Sequence, residues 1–421
     1  MKIITLDDEK FDSFAKDHKY ASFYQTSAYG KTMKDNGFNV HYLGIVDDSD
    51  NIIGASLIIY KDIFMGKKIA YCPRGILFDF ADAVSTYEFT KKIKNLLAKQ
   101  GFLMLRMDPY IPATIRNKDG KIIDINKDVN YIMKNIKSAG FKYKGKNNFF
   151  ENELPRFEAT VVLNKEIEEI YRNLTKRTRH KINRAASAGI TVYKDTDSNI
   201  DKLYELCKNK TGLSKKYLQD LANNFSSSNV YYALLNTDSF VIEAKKRYEK
   251  EMERNDILAK KIQSKNSKNS TLNAKMESDK LITTYKNDLV LATNLLKEYP
   301  KGLIIGSALT IEYNNTSYLI IDGLKKEYSH LCSNYLLRWY IIDDCKKRGI
   351  KLFNMNAIGG IFDKKNKYHN LNEMKLGFGA IPTEYIGEFE LVLSNINYAI
   401  YKNFSKDKNY KLQKDLQTRQ M

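Results

Sequence analysis

Apolar and polar residues follow two different spacings along the first 150 residues of the chain. Apolar residues at helical spacing predict helices over residues 10–16, 27–36 and 85–100. Short apolar runs predict strands over residues 40–46, 52–60, 68–71 and 102–107. The turn-forming run from Asp47 to Asn51 separates two of these strands, so we expect them to form a hairpin. This alternation is typical of an α/β unit.

A similar order of elements returns in the second half of the chain. Helices are predicted over residues 165–188, 200–210, 215–225 and 333–348. Strands are predicted over residues 190–193, 230–236, 303–313, 316–322 and 352–356. We interpret the two halves as copies of one α/β plan.

A long helical insertion, residues 241–299, interrupts the second copy. Two heptad seams are indicated by positions 241, 245, 248, 252, 255, 259 and 262 and by positions 275, 278, 282, 285, 289, 292 and 296. The polar run SKNSKNST separates them. The pattern predicts an antiparallel coiled-coil arm between two strands, with helices about 33 Å long. Such an arm can serve as a strut, a dimer contact or a grip on RNA.

The composition adds information about partners. The chain has 421 residues and is 43% hydrophobic, which suits two or three packed units and excludes a disordered chain. Its 69 Lys and Arg residues against 50 Asp and Glu residues give a net charge of +19. This excess predicts a polyanionic partner, namely nucleic acid, a phosphate-bearing substrate or an anionic membrane surface. Lysine-rich solubility is the alternative explanation.

Several classes of function are excluded by motifs that the sequence lacks. The four cysteines form no CxxC pair and the five histidines show no metal-ligand spacing, so no metal site is predicted. The sequence contains no P-loop, GxGxxG or GxSxG motif, and no Gln or Arg is followed by Gly three residues later. We therefore predict no cofactor, acetyl-CoA included. No apolar run approaches the ~18 residues of a membrane span, and we expect a reduced, cytoplasmic protein.

The helix predicted over residues 165–188 carries a basic surface, formed by Arg172, Lys176, Arg177, Arg179, Lys181 and Arg184. Helical spacing puts Arg172, Lys176 and Arg179 on one face, with the other three beside it. The forked guanidinium of arginine binds phosphate oxygens at two points, so this surface suits phosphate groups. A solvated basic helix is the alternative.

Three further residues are candidates for chemistry because of their local sequence. Asp108 ends an apolar strand, where α/β folds meet ligands, and its carboxylate can take a proton from an amine; Asp-Pro is also a common turn opener. Arg74 lies in the constrained segment YCPRG, where it can face a ligand or pair with Asp79. Lys375 lies in the glycine-rich run MKLGFG, whose backbone can approach a substrate or turn at a sheet edge.

Five segments together resemble motifs of the Fem family of peptidoglycan aminoacyltransferases. FYQTSAYGKTMK resembles the Gln-x-x-x-Trp-Gly motif of the family, and YCPRGILFD resembles its Tyr-x-Pro-Arg-Gly segment. LRMDP resembles Arg-x-Asp-Pro, and TRHKINRAASAGI resembles a Thr-Arg-x-x-Ile helix. KRGIKLFNM with NEMKLGFGA resembles the closing glycine-rich strand and the Phe-Lys-x-Gly-Phe-Gly block. The segments occur in the order of the family over nearly the whole chain.

This resemblance implies an α/β fold with two N-acetyltransferase-like (GNAT) domains, residues 1–152 and 153–395. The arm, residues 241–299, is inserted in the second domain, and a basic C-terminal tail, residues 396–421, follows. The implied enzyme transfers an amino acid from aminoacyl-tRNA to the amine of a muropeptide, either lipid II or UDP-MurNAc-pentapeptide. RNA and a pyrophosphate-linked precursor explain the basic charge, and peripheral contact with the anionic inner membrane surface is compatible with it.

The resemblance also implies roles for single residues. Asp108 matches a candidate for orienting or deprotonating the amine, and Lys375 matches a lysine near the reacting ester, so both are expected to be catalytic. Lys34 and Arg179 match positions that hold the phosphates and sugar of the precursor. The residues expected to bind substrate are Lys34, Arg74, Arg179 and Tyr217. The residues expected to bind tRNA are Arg172, Lys176, Arg177, Lys181 and Arg184.

The sequence departs from the family pattern at three positions. Tyr29 replaces a tryptophan, Met374 replaces a phenylalanine, and Asn354 stands where an acid is expected. These changes alter the expected pocket and leave the transferred amino acid open. Two alternative functions are a GNAT-fold acyltransferase with another amine acceptor and a tRNA-binding protein that has lost activity.

Overall fold

A computed structural model describes residues 1–63, 66–145, 147–150, 153–195, 199–263 and 269–404. Two β-sheets with helices packed against them organise this part of the chain. The α/β class predicted from the sequence is confirmed. Residues 405–421, most of the predicted basic tail, lie outside the described residues. Among the helices that are described, none has both the length and the apolarity needed to cross a bilayer.

The elements follow the apolar pattern closely in both halves. The strands are Lys2–Thr5 (β1), Asn39–Val46 (β2), Ile52–Asp62 (β3), Lys68–Cys72 (β4), Leu77–Phe78 (β5), Phe102–Met107 (β6), Pro112–Arg116 (β7), Ile122–Ile125 (β8), Lys142–Tyr143 (β9), Phe157–Val162 (β10), Ile190–Asp195 (β11), Ser228–Leu235 (β12), Leu303–Tyr313 (β13), Thr316–Leu324 (β14), Leu352–Ala357 (β15), Ile381–Tyr385 (β16) and Phe389–Val392 (β17). The helices are Asp8–Asp17 (α1), Ser27–Asp35 (α2), Ala83–Lys99 (α3), Val129–Ser138 (α4), Ile167–Asn173 (α5), Lys176–Ser187 (α6), Asp201–Thr211 (α7), Lys215–Asn224 (α8), Thr237–Ile262 (α9), Asn269–Glu298 (α10), Ser333–Lys347 (α11), His369–Leu376 (α12) and Asn395–Phe404 (α13).

The order of elements repeats between the two halves. The series β1, α1, α2, β2, β3, β4, α3, β6 is matched by β11, α7, α8, β12, β13, β14, α11, β15. In each series the last two strands are parallel neighbours joined through a helix, whereas their other sheet neighbours are antiparallel. The repeated α/β plan predicted from the sequence is therefore present.

Each sheet contains strands from the other half of the chain. The first sheet has the order β1-β2-β3-β4-β6-β17-β9, with β5 beside β3, so a late strand lies between two early ones. The second sheet has the order β11-β12-β13-β14-β15-β10-β16-β7-β8, and the hairpin β7–β8 comes from the early half. The division of the chain into residues 1–152 and 153–395 stays a prediction, and strand pairing crosses residue 152 in both directions.

Glu384 on β16 links the hairpin β7–β8 to the rest of the second sheet. Its carboxylate accepts hydrogen bonds from Nη2 of Arg116 at 2.6 Å, Nη2 of Arg156 at 2.8 Å and Oγ1 of Thr114 at 2.9 Å. Burial raises the pKa of Glu384, but the hydrogen bond from Arg116 and the charge of Arg156 outweigh burial and hold the pKa below its usual value. This one side chain therefore joins β7, β16 and the segment before β10.

The single helix predicted over residues 165–188 is wrong, because the chain breaks into α5 and α6. Leu174 is extended, with ψ 149°, and Thr175 is the N-cap of α6, where its hydroxyl accepts from the N–H of Thr178 at 3.3 Å. A threonine at this position satisfies a backbone N–H that would otherwise lack a partner. Arg172 consequently lies on a different helix from the rest of the basic surface.

The long insertion is occupied by α9 and α10, which lie between the paired strands β12 and β13. The helices are antiparallel, because Arg247 lies near Asp288 and Asn255 lies near Ser278. Residues 264–268 of the linking run are outside the described residues. The coiled-coil geometry of the arm stays a prediction.

The seam predicted for α9 is partly wrong. Met252 is exposed, whereas Glu251 and Asn255 are buried. Inside the arm, Oγ of Ser278 donates to Glu251 at 2.7 Å and Nδ2 of Asn255 donates to Oγ of Ser278 at 3.0 Å. The interior of the arm therefore includes a hydrogen-bonded polar layer, in which Asn255 and Ser278 lie at predicted seam positions and Glu251 takes the place predicted for Met252.

We expect Glu384→Gln to lower the free energy of unfolding by about 2–4 kcal/mol, because two arginines lose the carboxylate that they share. Denaturant unfolding followed by circular dichroism measures this change. The matched control is Glu277→Gln on the exposed face of α10, which should change stability by less than about 0.5 kcal/mol. Folding lowers the pKa of Glu384, so its contribution is present at neutral pH and is lost in acid. Equal stability of the variant and the wild type at neutral pH would contradict this account.

Candidate functional site

The first part of the site lies where the parallel strands β4 and β6 end. Arg74 follows β4 and Asp108 follows β6, so both lie at the same edge of the first sheet. The backbone N–H of Arg74 donates to Oδ1 of Asp108 at 2.8 Å, and Nη1 of Arg74 lies 3.6 Å from Oδ2. The alternative pairing of Arg74 with Asp79 is wrong, since Asp79 is exposed and accepts from the N–H of Ala81.

A carboxylate from the second sheet completes this arrangement. Glu158 on β10 accepts from Nη2 of Arg74 at 2.5 Å, from the hydroxyl of Tyr110 at 2.8 Å and from Nδ2 of Asn354 at 2.7 Å. The rings of Tyr110 and Tyr385 stack with centroids 4.4 Å apart, and the Arg74 guanidinium lies 5.0 Å from each ring centroid. We call this set the Glu158 cluster; its members are Arg74, Asp108, Tyr110, Glu158, Asn354 and Tyr385.

Burial dominates the electrostatics of the Glu158 cluster. It raises the pKa of Asp108 from 3.8 to about 7, although the charge of Arg74 acts in the opposite direction. It also raises the pKa of the Tyr110 and Tyr385 hydroxyls well above their usual value. For Arg74, burial lowers the pKa, but Glu158 and Asp108 outweigh it and keep the guanidinium charged. Asp108 can therefore gain or lose a proton near neutral pH, while the tyrosines stay protonated.

A narrow cleft between the two halves reaches the Glu158 cluster, and its volume of about 10 Å³ has room for about one water molecule in this structure. The strands β14 and β15 pair only over Thr316–Tyr318 and Leu352–Asn354 and separate beyond them. The cleft is lined by Ser22, Phe23, Tyr24, Arg74, Tyr110, Glu158, Tyr318, Leu319, Ile320, Asn354 and Asn356. Asp108 is not among these lining residues and contacts the cleft through Arg74.

Lys375 lies buried on α12. Its Nζ donates to the carbonyls of Met355 at 2.5 Å and Ala357 at 2.7 Å, so it holds the end of β15. Burial, helped by the charge of Arg338, lowers the pKa of Lys375 from 10.5 to about 7. None of the contacts described for Lys375 joins it directly to Asp108, but the charge of Glu158 in the cluster acts on Lys375.

A second ion cluster beneath the cleft escaped the sequence analysis. Nη2 of Arg338 on α11 donates to Asp322 on β14 at 2.8 Å, and Nζ of Lys210 binds the same carboxylate. Burial raises the pKa of Asp322, but Arg338 and Lys210 outweigh burial and hold it well below the usual range. A signal was available, because Arg338 interrupts an otherwise apolar helix in LLRWYII. Glu158 likewise stands as a lone charge in the apolar strand FEATVV.

The other residues predicted to bind substrate are dispersed. Tyr217 is buried on α8 and shares a hydrogen bond with Tyr29, and burial raises the pKa of Tyr217 to about 12. Tyr29 in turn contacts the ring of the cleft residue Tyr24, with centroids 5.0 Å apart. Lys34 is exposed in the last turn of α2, with its ammonium 5.4 Å from the ring centroid of Tyr42.

The basic residues of α6 are divided between two environments. Arg177 and Lys181 line a groove of about 400 Å³ between α6, α11 and α12. Nζ of Lys181 donates to the hydroxyl of Tyr335 at 2.9 Å, and Arg177 pairs with Glu373 at 2.5 Å. Nη1 of Arg179 instead binds the backbone, donating to the carbonyl of Leu174 at 3.1 Å and to that of Arg172. The remaining tRNA candidates are Arg172 and Lys176, which are exposed, and Arg184, which is half-buried.

Within the described residues, no group of three or more His, Cys, Asp or Glu side chains is placed to hold a metal ion. The groups at the cleft are hydrogen-bond donors, carboxylates and aromatic rings. Such a set can orient polar groups and exchange a proton.

Comparison with known proteins identifies the family. The sequence profile of the FemAB family matches residues 6–406. The aminoacyltransferase FemA of Staphylococcus epidermidis is 21% identical over 423 residues, covering 96% of this chain and 99% of that protein. FemA of Staphylococcus aureus is 21% identical over 428 residues, covering 97% of this chain and 99% of that protein. The crystal structure of FemX has a TM-score of 0.70 and 18% identity, covering 95% of this chain and 99% of that chain, so the two share a fold. Because the profile match extends over almost the whole chain, this protein belongs to the FemAB family, whose relatives named here are aminoacyltransferases.

Proposed function

We propose that this chain transfers an amino acid from aminoacyl-tRNA to the side-chain amine of the stem peptide of a peptidoglycan precursor. The observation that carries the proposal is the Glu158 cluster, a buried polar group at a cleft between the two halves of a member of an aminoacyltransferase family. The precursor is lipid II or UDP-MurNAc-pentapeptide, and the product is a step of the interpeptide bridge. The reaction takes place in the cytoplasm or at the inner face of the membrane.

The proposed reaction is the aminolysis of an ester. The amine nitrogen attacks the ester carbonyl carbon, the bond from that carbon to the ribose oxygen breaks, and the proton lost by the amine is balanced by the proton gained by the ribose oxygen. The ester is already activated, so nucleotide hydrolysis is not required. The protein has to accept a proton from the amine and stabilise the oxyanion of the tetrahedral intermediate.

The Glu158 cluster supports these roles. Burial raises the pKa of Asp108 to about 7, so its carboxylate can accept a proton near neutral pH and act as general base. Arg74 lines the cleft, and its buried Nε has no hydrogen-bond acceptor among the described residues. An unmatched buried donor is costly unless a ligand supplies the acceptor, so we assign Arg74 to substrate binding.

The groove at Arg177 and Lys181 supports a tRNA donor. Its volume of about 400 Å³ suits a nucleotide at the end of an RNA strand. The exposed Arg172 and Lys176 extend the positive surface from the groove towards solvent. Lys34, which forms no ion pair with the described residues, is proposed to hold the phosphates of the precursor together with Arg179, and Tyr217 supports the aromatic wall near the cleft.

A transfer assay tests the proposal. The protein is incubated with a mixed pool of tRNAs that carry labelled amino acids. UDP-MurNAc-pentapeptide and lipid II are tested separately as acceptors, and acetyl-CoA is tested in parallel as an alternative donor. Label in either muropeptide supports the proposal and identifies both the amino acid and the acceptor. Acetyl transfer to an amine without aminoacyl transfer would contradict it and indicate another acyltransferase, whereas tRNA binding without any transfer would indicate a protein that has lost activity.

We expect kcat/KM of the wild type to rise as the pH increases through about 7, because Asp108 must be ionised to accept the proton. Asp108→Asn should lower kcat about 100-fold or more and abolish this rise. Initial rates between pH 5.5 and 9 measure both effects, and Asp256→Asn at an exposed position of α9 is the control. If Asp108→Asn keeps the pH profile and changes only KM, Asp108 positions Arg74 instead.

Lys375→Met tests whether this lysine supports β15. We expect the free energy of unfolding to fall by about 2–4 kcal/mol, because two carbonyls lose their donor. Between pH 7 and 10.5 the unfolded chain holds a proton on Lys375 that the folded chain does not, so the contribution of Lys375 to stability rises with pH in this range. The variant should lack this rise in urea unfolding at pH 7 and pH 9.5. A variant that is fully stable but inactive would assign Lys375 to the chemistry alone.

Lys181→Ala should weaken the binding of charged tRNA about 3- to 10-fold and reduce the slope of log K against log salt by about 1. Fluorescence anisotropy at several salt concentrations measures both quantities. Lys99→Ala, at an exposed position of α3, is the matched control and should leave the slope unchanged. An unaltered slope for Lys181→Ala would show that the groove does not hold RNA phosphates.

A further inference from the structure

The hairpin β7–β8 presents isoleucines to solvent on both of its faces. Ile123 is 61% exposed and Ile125 is 53% exposed, and Ile122 on the opposite face of the strand is exposed as well. β8 is the last strand in the order of the second sheet. Ile123 and Ile125 share one face of this edge strand, and exposed apolar side chains grouped in this way mark interaction sites.

A second exposed segment adjoins the hairpin. Gly120 in the hairpin turn has φ +84°, and a Cβ on it would lie 2.5 Å from Cγ of Phe362. The ring of Phe362 therefore packs directly on this turn. In the same turn, the carbonyl of Gly120 accepts a hydrogen bond from Nη1 of Arg116 at 3.0 Å. Ile361, next to Phe362, is exposed. The loop between β15 and α12 thus adds an apolar residue to the same corner of the molecule.

Lysines surround these apolar groups. The exposed lysines of the two segments are Lys118, Lys121, Lys127, Lys364, Lys365 and Lys367. The acids of the same segments are Asp119, Asp124, Asp128 and Asp363, so six positive charges against four negative charges leave +2. An apolar centre with a positive rim is complementary to the surface of an anionic bilayer, which offers acyl chains beneath negative headgroups.

We propose that residues 117–128 and 361–367 form a docking surface for an anionic lipid bilayer. The isoleucines enter the boundary between headgroups and acyl chains, and the lysines lie among the headgroup phosphates. Each lysine near the membrane surface strengthens binding about fivefold. We refer to this set as the lipid-docking corner.

The charges of β8 argue against a second copy of the chain as the occupant. The strand spans four residues and is flanked by Lys121 and Lys127. If β8 paired antiparallel with β8 of a second copy, Lys121 of each copy would lie near Lys127 of the other. Repulsion between like charges of this kind protects edge strands from pairing. An anionic surface meets no such repulsion.

The lipid-docking corner is close to the cleft. β8 is separated from β10, which carries Glu158, by β7 and β16, a distance of about 14 Å for three strand spacings. The loop at residues 361–367 also connects β15 with α12, the helix of Lys375. If the proposed function holds, this placement favours an acceptor that is itself anchored in the bilayer over a soluble one.

Vesicle flotation with the full chain tests the proposal. We expect binding to vesicles of phosphatidylcholine with phosphatidylglycerol and little binding to phosphatidylcholine alone. Ile123→Ser with Ile125→Ser should weaken binding about tenfold for each isoleucine. The matched control is Ile242→Ser with Ile257→Ser on α9, where the exposed fractions are 64% and 54%, and it should bind like the wild type. Lys364→Glu with Lys365→Glu should weaken binding to anionic vesicles, by contrast with Lys246→Glu and Lys250→Glu on α9.

Three results would overturn the proposal: no binding of the wild type to anionic vesicles, equal binding of the isoleucine variant, or a concentration-dependent dimer that the isoleucine substitutions dissociate. Sedimentation velocity of the same variants detects such a dimer and would assign the corner to a second copy. The test is independent of the proposed function. Vesicle binding without aminoacyl transfer would support the docking surface and contradict the proposed activity. Transfer to a soluble acceptor without vesicle binding would support the activity and contradict the docking surface.

Discussion

A buried ion pair between the two sheets is the interaction on which the cleft depends. Glu158 carries a charge from the second sheet to Arg74 at the edge of the first. Such burial is costly unless each charge is paired and hydrogen-bonded, and here Tyr110 and Asn354 donate to Glu158 while Asp108 accepts from Arg74. Removal of Arg74 would leave Glu158 buried without a counterion, and removal of Glu158 would leave Arg74 with the carboxylate of Asp108 alone, 3.6 Å away. The sheets are therefore held together at the point where the two substrates are proposed to meet, and the proton affinity of Asp108 depends on the same enclosure.

The parts of the fold and the site that could be predicted from the sequence are those set by neighbouring residues along the chain. The apolar run before Asp108 and the constrained turn at Arg74 each pointed to a residue that the structure places in the cluster. Their contact could not be predicted, because it depends on β4 and β6 being parallel neighbours. Glu158 was missed altogether, since Asn354 and Tyr385 lie 196 and 227 residues away from it and no spacing rule extends so far. The hydrogen bonds of Lys375 to the carbonyls of Met355 and Ala357 were equally inaccessible to sequence reasoning.

The break before α6 and the burial of Glu251 in the arm are two departures from prediction with one physical origin. Pattern analysis places apolar residues inside and treats continuous periodicity as a continuous helix. In the arm, Glu251 is inside instead of Met252 because it accepts a hydrogen bond from Ser278, and the polar layer that it forms with Ser278 and Asn255 fixes which residues face each other along the two helices. Before α6, the hydroxyl of Thr175 replaces a helical hydrogen bond, so the chain turns and the basic residues are redistributed. In both places side-chain hydrogen bonds outweigh the apolar pattern, and the second place lies in the segment proposed to bind tRNA.

The exchange of strands between the sheets has a consequence for the synthesis of the protein. β17 lies between β6 and β9, so the first sheet cannot close until residues 389–392 have left the ribosome. During most of translation, one edge of β6 in the early half has no partner strand, because β17 has not yet been synthesised. Contacts over such long separations are slow to form, and unpaired strands invite association with other chains. Nascent chains of this protein are therefore exposed to premature association for longer than chains whose halves fold independently, and chaperones at the ribosome have a correspondingly longer time to act.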